Sequence, residues 1–214
     1  MPIPGNMLSA TTEMVDPNTS GWTVKLNSAA LTKGTGGRNG DGCLTTKAVA
    51  AGEVQARTVS SYPVNVGTVY ETFADTSGTA VERIGIRWLN AAGTEVSITW
   101  SLTTLTPYPS WHRVSVAGAA PTGATQAQVV LSSTETVING LHYWENIYFG
   151  LPIRTTNNLL SFNTESSEVD ASQWTPVVNA TISRQVPALQ WAVDWYTAGG
   201  HVLAMTAVAT GNAS

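Results

Sequence analysis

The chain has 214 residues, 43% of them apolar, which is length and apolar content enough to bury a core and argues against disorder as a whole. Only 11% are charged, against about 25% in an ordinary soluble domain, and the net charge is −4 with no basic run, so the electrostatic footprint of a nucleic-acid binder is missing. A lone cysteine, Cys43, excludes an internal disulfide and a thiolate metal cluster, and no apolar run approaches the roughly 20 residues that insert into a bilayer.

The N-terminus, MPIPGNMLSATTE, has neither a basic nor an apolar stretch of the kind a cleaved signal needs, so the sequence predicts a chain kept in the cytosol or exported by another route. Next comes GTGGRNGDG, Gly34 to Gly42. It lacks a following Lys-Ser or Lys-Thr and opens no helical pattern, which makes it a flexible connection rather than a phosphate cradle. Helical periodicity is almost absent elsewhere. In RIGIRWL, Ile84, Ile86 and Trp88 share one face and Arg83, Gly85 and Arg87 the other. VSITWSL alternates in the same way, with Val96, Ile98, Trp100 and Leu102 as its apolar, core-facing set. Between them NAAGTE supplies hairpin residues, and ADTSGTA and APTGATQ punctuate further turns. Trp22 and Trp111, at strand starts, are expected in the core. Many short strands with Gly and Pro turns predict an all-β fold, an antiparallel two-sheet jelly-roll β-sandwich.

This unit is expected to occupy residues 1–150, followed by a linker at 151–157, LPIRTTN, in which Pro152 breaks the ladder. Then the opening restarts. Asn6, Leu8, Ser9, Thr12, Glu13, Ser20, Trp22, Thr23 and Asn27 recur, with no gap, as Asn158, Leu160, Ser161, Thr164, Glu165, Ser172, Trp174, Thr175 and Asn179. LTTKAVAAGEVQ, Leu44 to Gln55, is echoed by LAMTAVATGNAS, Leu203 to Ser214. Residues 158–214 therefore predict the first part of a second, related module, incomplete by itself. Such a half sheet leaves strand edges and an apolar face open. Trp191 and Trp195, with Leu189 and Val193, are expected to need a partner surface, supplied by a continuation of the polypeptide or by another chain.

The histidines, His112, His142 and His201, accompany no nucleophile elbow, and they read as surface or interface imidazoles. No nucleophile with an oriented base is visible, so no enzyme is expected. On the closing strand GLHYWENIYFG, Leu141, Tyr143, Ile147 and Phe149 form the expected buried set. His142, Trp144, Asn146 and Tyr148 form the opposite face. Two readings stand for it: a glycan platform, since a sugar ring presents its CH face to an aromatic and its hydroxyls to amides, or a surface that docks a protein neighbour.

Four stretches in order carry a resemblance: NMLSATTEMVDPNTSGW, VNVGTVYETFAD with its central Tyr70, SWHRVSVAGAAPTGATQAQVVL, and GLHYWENIYFG. Together they resemble the galactose-binding-like jelly-roll carbohydrate-binding modules attached to bacterial xylanases and laminarinases. The resemblance implies that a carboxylate at the Glu13 position helps hold a structural calcium, with Glu145 of the neighbouring last strand as its candidate partner; the other reading is a carboxylate hydrogen-bonded to neighbouring turn amides. Modules of this kind repeated in tandem, on an Ala/Thr/Gly-rich chain beginning MPIPGN, also resemble minor tail proteins of actinobacteriophages. That implies a non-enzymatic structural and attachment protein of the virion tail, assembled in the host cytoplasm. Its partners would be other tail proteins, further copies of itself and host cell-surface glycan, without nucleic acid or membrane insertion. The alternative is a carbohydrate-binding module of a secreted polysaccharide-degrading enzyme.

Overall fold

The computed structural model describes residues 3–38, 40, 42–105, 110–153, 175–176, 180–185 and 202–207. Leu189, Trp191, Val193 and Trp195, expected to need a partner surface, and His201 lie outside them. In chain order the elements are α1 (Ala10–Met14), β1 (Trp22–Leu26), β2 (Thr32–Gly34), β3 (Cys43–Lys47), β4 (Gly52–Thr58), β5 (Tyr62–Pro63), β6 (Val69–Gly78), β7 (Val81–Leu89), β8 (Glu95–Trp100), β9 (His112–Ala119), β10 (Gln126–Glu135), β11 (Leu141–Gly150), β12 (Ala180–Gln185) and β13 (Val202–Ala207). Strands β1-β4-β10-β7-β8, with β5 beside β10, make a six-stranded sheet, and β2-β3-β11-β6-β9 make a five-stranded one. All their pairings are antiparallel. The two-sheet, all-β architecture is the one the alternation predicts.

The sole regular helix among the described residues is one turn. Ser9 caps it, its Oγ accepting from Thr12 N at 3.2 Å, and Val15 ends it in the left-handed region at φ 55°. The segment before it is stitched to the last strand of the sandwich: Met7 N–H donates to Phe149 O at 2.8 Å, and Asn6 bonds both Ile147 O and Phe149 N through its amide. Chain start and closing strand are thereby neighbours. No described helix is long and apolar enough to cross a membrane.

Between the layers, Ile84, Ile86 and Trp88 of β7 and Val129 and Leu131 of β10 meet Tyr70 and Ala74 of β6, Val114 and Val116 of β9, and Trp144, Ile147 and Phe149 of β11. RIGIRWL thus faces inward as predicted. VSITWSL does not. Gly85 lies between the inward Ile84 and Ile86, so it faces out, and Trp100 sits against it: a Cβ there would stand 2.6 Å from the Trp100 ring. Val96 is 41% exposed and Leu102 exposed, while Thr99 takes the inward position and accepts the Trp88 indole N–H at 2.8 Å. The buried indole needs an acceptor, and the hydroxyl face of the strand supplies one. Trp22 is in the core, with its indole donating to Thr12 O at 2.9 Å, whereas Trp111 is only half-buried.

The phase of β11 also departs from strict alternation. Against β6, Glu145 pairs Asp75 and Tyr148 pairs Phe73, so Asn146 and Ile147 together oppose the single Ala74. This is a β-bulge, with Asn146 at φ 50°. It shifts the period by one residue. Before the bulge the even residues face inward, and after it the odd ones do. Leu141, expected inside, is 37% exposed; Ile147 and Phe149 are buried as expected.

Farther along, β12 and β13 form a two-stranded antiparallel ladder from Ala180↔Ala207 to Gln185↔Val202.

Candidate functional site

The outer face of the five-stranded sheet gathers the polar side chains of the described residues most suited to a hydroxyl-rich ligand. On β6 the even residues enter the core, so Glu71, Phe73 and Asp75 point outward; on β9 Arg113 does the same, and on β11 Tyr143, Glu145 and Tyr148. Phe73 and Tyr148 stack at 4.9 Å with their planes 13° apart, and the Arg113 guanidinium lies 4.4 Å from the Phe73 ring centre.

Asp75 and Glu145 face one another across the strand pair. Two like charges so placed repel. The structure offsets that with donors on every side. Arg113 donates from Nε to Asp75 Oδ1 at 3.1 Å and from Nη2 to Oδ2 at 3.4 Å. Asn146 Nδ2 donates to Asp75 Oδ2 at 3.0 Å, and Arg38 Nη1 lies 3.2 Å from Asp75 Oδ1. The backbone N–H of Arg38 donates to Glu145 Oε2. Arg38 belongs to the glycine-rich stretch, which is therefore more than a connection. Gly42 N–H closes onto Gly36 O at 2.7 Å, and Gly37, at φ 91°, approaches so near that a Cβ would stand 2.5 Å from Glu145 Oε2. Both carboxylates are at most 2% exposed. Their role is to fix the arginines, the loop and the amide, while Arg38, Arg113, Asn146 and Tyr143 remain partly open to solvent. Guanidinium and amide donors held in place beside a tyrosine ring can bind sugar hydroxyls without paying to order them on contact.

Of the four closing-strand residues read as a glycan platform or a surface that docks a protein neighbour, Asn146 alone is partly exposed. His142, Trp144 and Tyr148 are at most 1% exposed. The bulge turns His142 and Trp144 into the interior, and Tyr148 is covered by Phe73 and by its own hydroxyl bond to Leu151 O at 2.5 Å. Burial pushes the Tyr148 phenol up to about 12, helped by the charge of Glu71. The histidine expectation is corrected too: His112 and His142 are buried, not surface imidazoles. The candidate calcium pair is not brought into one centre. Glu13 accepts from Ile3 N at 2.7 Å and Asn6 Nδ2 at 3.0 Å, whereas Glu145 is held by the Arg38 loop. Among the described residues no three His, Cys, Asp or Glu side chains are placed to hold a metal ion.

Sequence reasoning placed Tyr143 in the buried set, where the bulge phase instead turns it to the outer face, and missed Arg38, Arg113 and Asp75. The available signals were the acid-aromatic-acid alternation of ETFAD, and an asparagine inside an aromatic strand, a residue type that tolerates the left-handed conformation of a bulge.

No family model and no curated protein matches the chain. Solved structures do. The enzymatically active domain of bacteriophage CBA120 tailspike protein 4 is similar over 68% of this chain and 21% of its own, at 17% identity and TM-score 0.55. A carbohydrate-binding module of family 22 joined to the catalytic module of a Clostridium thermocellum endo-1,4-β-D-xylanase, crystallised with xylohexaose, is similar over 67% of this chain and 28% of its own, at 16% identity and TM-score 0.52. A separate xylan-binding domain of the same family matches over 70% of this chain and 97% of its own, at 14% identity and TM-score 0.53. The chain thus spans about a quarter of the length of the first two and nearly all of the third. With its two antiparallel sheets, the sandwich has the fold of the galactose-binding-like jelly-roll carbohydrate-binding modules.

Proposed function

We propose that the chain is a non-catalytic attachment protein of a virion tail that binds host-surface carbohydrate on the outer face of its five-stranded sheet. The observation that carries this reading is the donor array around Asp75: Arg38, Arg113 and Asn146 are fixed by one buried carboxylate beside Tyr143. Carbohydrate as the ligand is supported by the xylan-binding neighbours, and a virion setting by the tailspike neighbour. Residues 1–150 form the complete module in this reading, 151–157 the linker and 158–214 the start of a related one. Strand β13 supports that division, because Leu203 lies in a strand as Leu44, its counterpart in the sequence echo, lies in β3. Repeated modules turn weak sugar contacts into avid attachment.

The test is a glycan array probed with the full chain and with Tyr143→Ala. Saturable binding lost in the variant supports the site, and no binding to any glycan sinks it. A second reading, a module serving a polysaccharide-degrading enzyme, is favoured by the xylanase neighbour. Antibody labelling of particle tails separates the two: labelled tails support the virion reading, and an antigen found only with a secreted hydrolase supports the other.

A further inference from the structure

Two histidines and two glutamates that take no part in the outer-face site meet between the layers. His112 of β9 and His142 of β11 come from the five-stranded sheet, Glu82 of β7 and Glu135 of β10 from the six-stranded one. Imidazoles from one layer thus face carboxylates from the other. His112 Nε2 lies 3.0 Å from Glu82 Oε1, His142 Nε2 3.3 Å from Glu82 Oε2, and His142 Nδ1 3.5 Å from Glu135 Oε1. Thr104 Oγ1 donates to Glu82 Oε1 at 2.8 Å, and Thr76 Oγ1 of β6 lies 3.0 Å from His142 Nε2. None of the four ionisable residues is more than 5% exposed. Two glycines leave room for them: a Cβ on Gly78 would stand 2.1 Å from His142 Nδ1, and one on Gly140 2.4 Å from Glu135 Oε2. Buried charges on this scale are tolerated only when matched.

We propose that this cross-sheet clasp makes ligand binding on the outer face pH-dependent, the layers being drawn together while His142 carries a proton and loosened when it does not. The inference rests on the reading of that face as a carbohydrate site. The coupling is by adjacency along single strands. His112 precedes Arg113, His142 precedes Tyr143, and Thr76 follows Asp75. In each pair one side chain enters the clasp and its neighbour belongs to the outer face, Arg113 and Tyr143 partly open to solvent and Asp75 holding the arginines, so a strand cannot shift at one without moving the other. From the six-stranded sheet only Glu82 and Glu135 face His142 among these charged groups; Arg83 turns the other way, to Glu53 at 2.7 Å.

Burial alone would lower the pKa of His142, but the Glu135 and Glu82 carboxylates more than reverse this and hold it above 6.5. Burial would raise Glu82, yet bonds from His112 and His142 hold it below 4.5. For a raised imidazole the sign is fixed: the clasp is intact below the unfolded value of 6.5 and is lost as pH rises through the folded pKa. The device opens on the alkaline side.

The experiment is an NMR pH titration of the full chain that follows the His142 imidazole and the backbone amides of Arg113 and Tyr143, with xylohexaose dissociation constants at about pH 6 and about pH 9. A His142 midpoint above the ordinary value, both amides moving with that midpoint and affinity falling about fivefold between the two conditions support the clasp. Glu135→Gln should lower the midpoint and carry the amide and affinity curves with it. Thr76→Val gives the same comparison if that variant does not fold. Amides that stay flat while His142 titrates, or a midpoint indifferent to both variants, overturn the inference. Amides that follow His142 while no array glycan binds at either pH leave the coupling standing and remove the carbohydrate reading.

Discussion

Asp75→Asn tests the outer-face site most directly, because the substitution preserves shape and removes only the charge that organises four donor contacts. The amide keeps one oxygen and gains an NH2. If that NH2 takes the Oδ2 position, it confronts Arg113 Nη2 and Asn146 Nδ2; if it takes the Oδ1 position, it confronts Arg113 Nε and Arg38 Nη1. Either way two bonds become donor–donor contacts. Charge-assisted bonds contribute about 1.5 to 3 kcal/mol each. The Arg113 and Arg38 side chains are 19% and 29% exposed, so water recovers part of that loss. The net destabilisation expected is about 3 kcal/mol, or about 6 to 12 °C in Tm for a domain of this size. Differential scanning fluorimetry reads the Tm, and isothermal calorimetry with an array-positive glycan reads binding, which should fall at least about tenfold as the arginines lose their anchor. A Tm within about 2 °C of the parent, or unchanged affinity, would refute the idea that Asp75 holds this face together.

Trp144→Ala should cost about 3 to 5 kcal/mol in chemical denaturation, as expected for emptying a core position, while Tyr143→Ala one residue earlier should cost about 1 kcal/mol or less and abolish glycan binding. A mild Trp144 variant would show that the bulge phase is wrong. Burial raises the pKa of Glu53, but hydrogen bonds from Arg83, Ser132 and Gln55 outweigh it and bring the carboxyl from 4.5 down to about 2. Its stabilisation is therefore present above pH 4.5 and lost as pH falls through about 2. With about a third of the side chain exposed, Glu53→Gln should flatten acid unfolding by about 1 kcal/mol or less. Burial pushes the Cys43 thiol up to about 11 against a bond from Thr45. Iodoacetamide at about pH 8 should leave the native chain unmodified and label it in denaturant, and rapid native labelling would contradict the burial.

The sequence by itself determined the class of fold. Period-two alternation in RIGIRWL, hairpin residues in NAAGTE and the scarcity of helical pattern leave antiparallel strands as the way to bury this much apolar surface in so uncharged a chain. It also brought Asn6 and Glu13 to notice as one opening motif, and the structure ties them by a bond of 3.0 Å. What tertiary structure alone decided is which face of a strand is inside. VSITWSL shows the limit: alternation gives two faces, and the choice went to the face whose Thr99 could satisfy the Trp88 indole. In β11 one extra residue at Asn146 inverted the period midway, exchanging Tyr143 for Trp144 as the residue that reaches solvent. The site has the same origin. Arg38, Asp75, Arg113 and Tyr143 stand far apart in sequence and carry no shared spacing, since they meet only when a loop folds over three strands whose order the chain reaches by crossover. Local pattern encodes period, whereas register, bulges and strand order depend on contacts between distant segments.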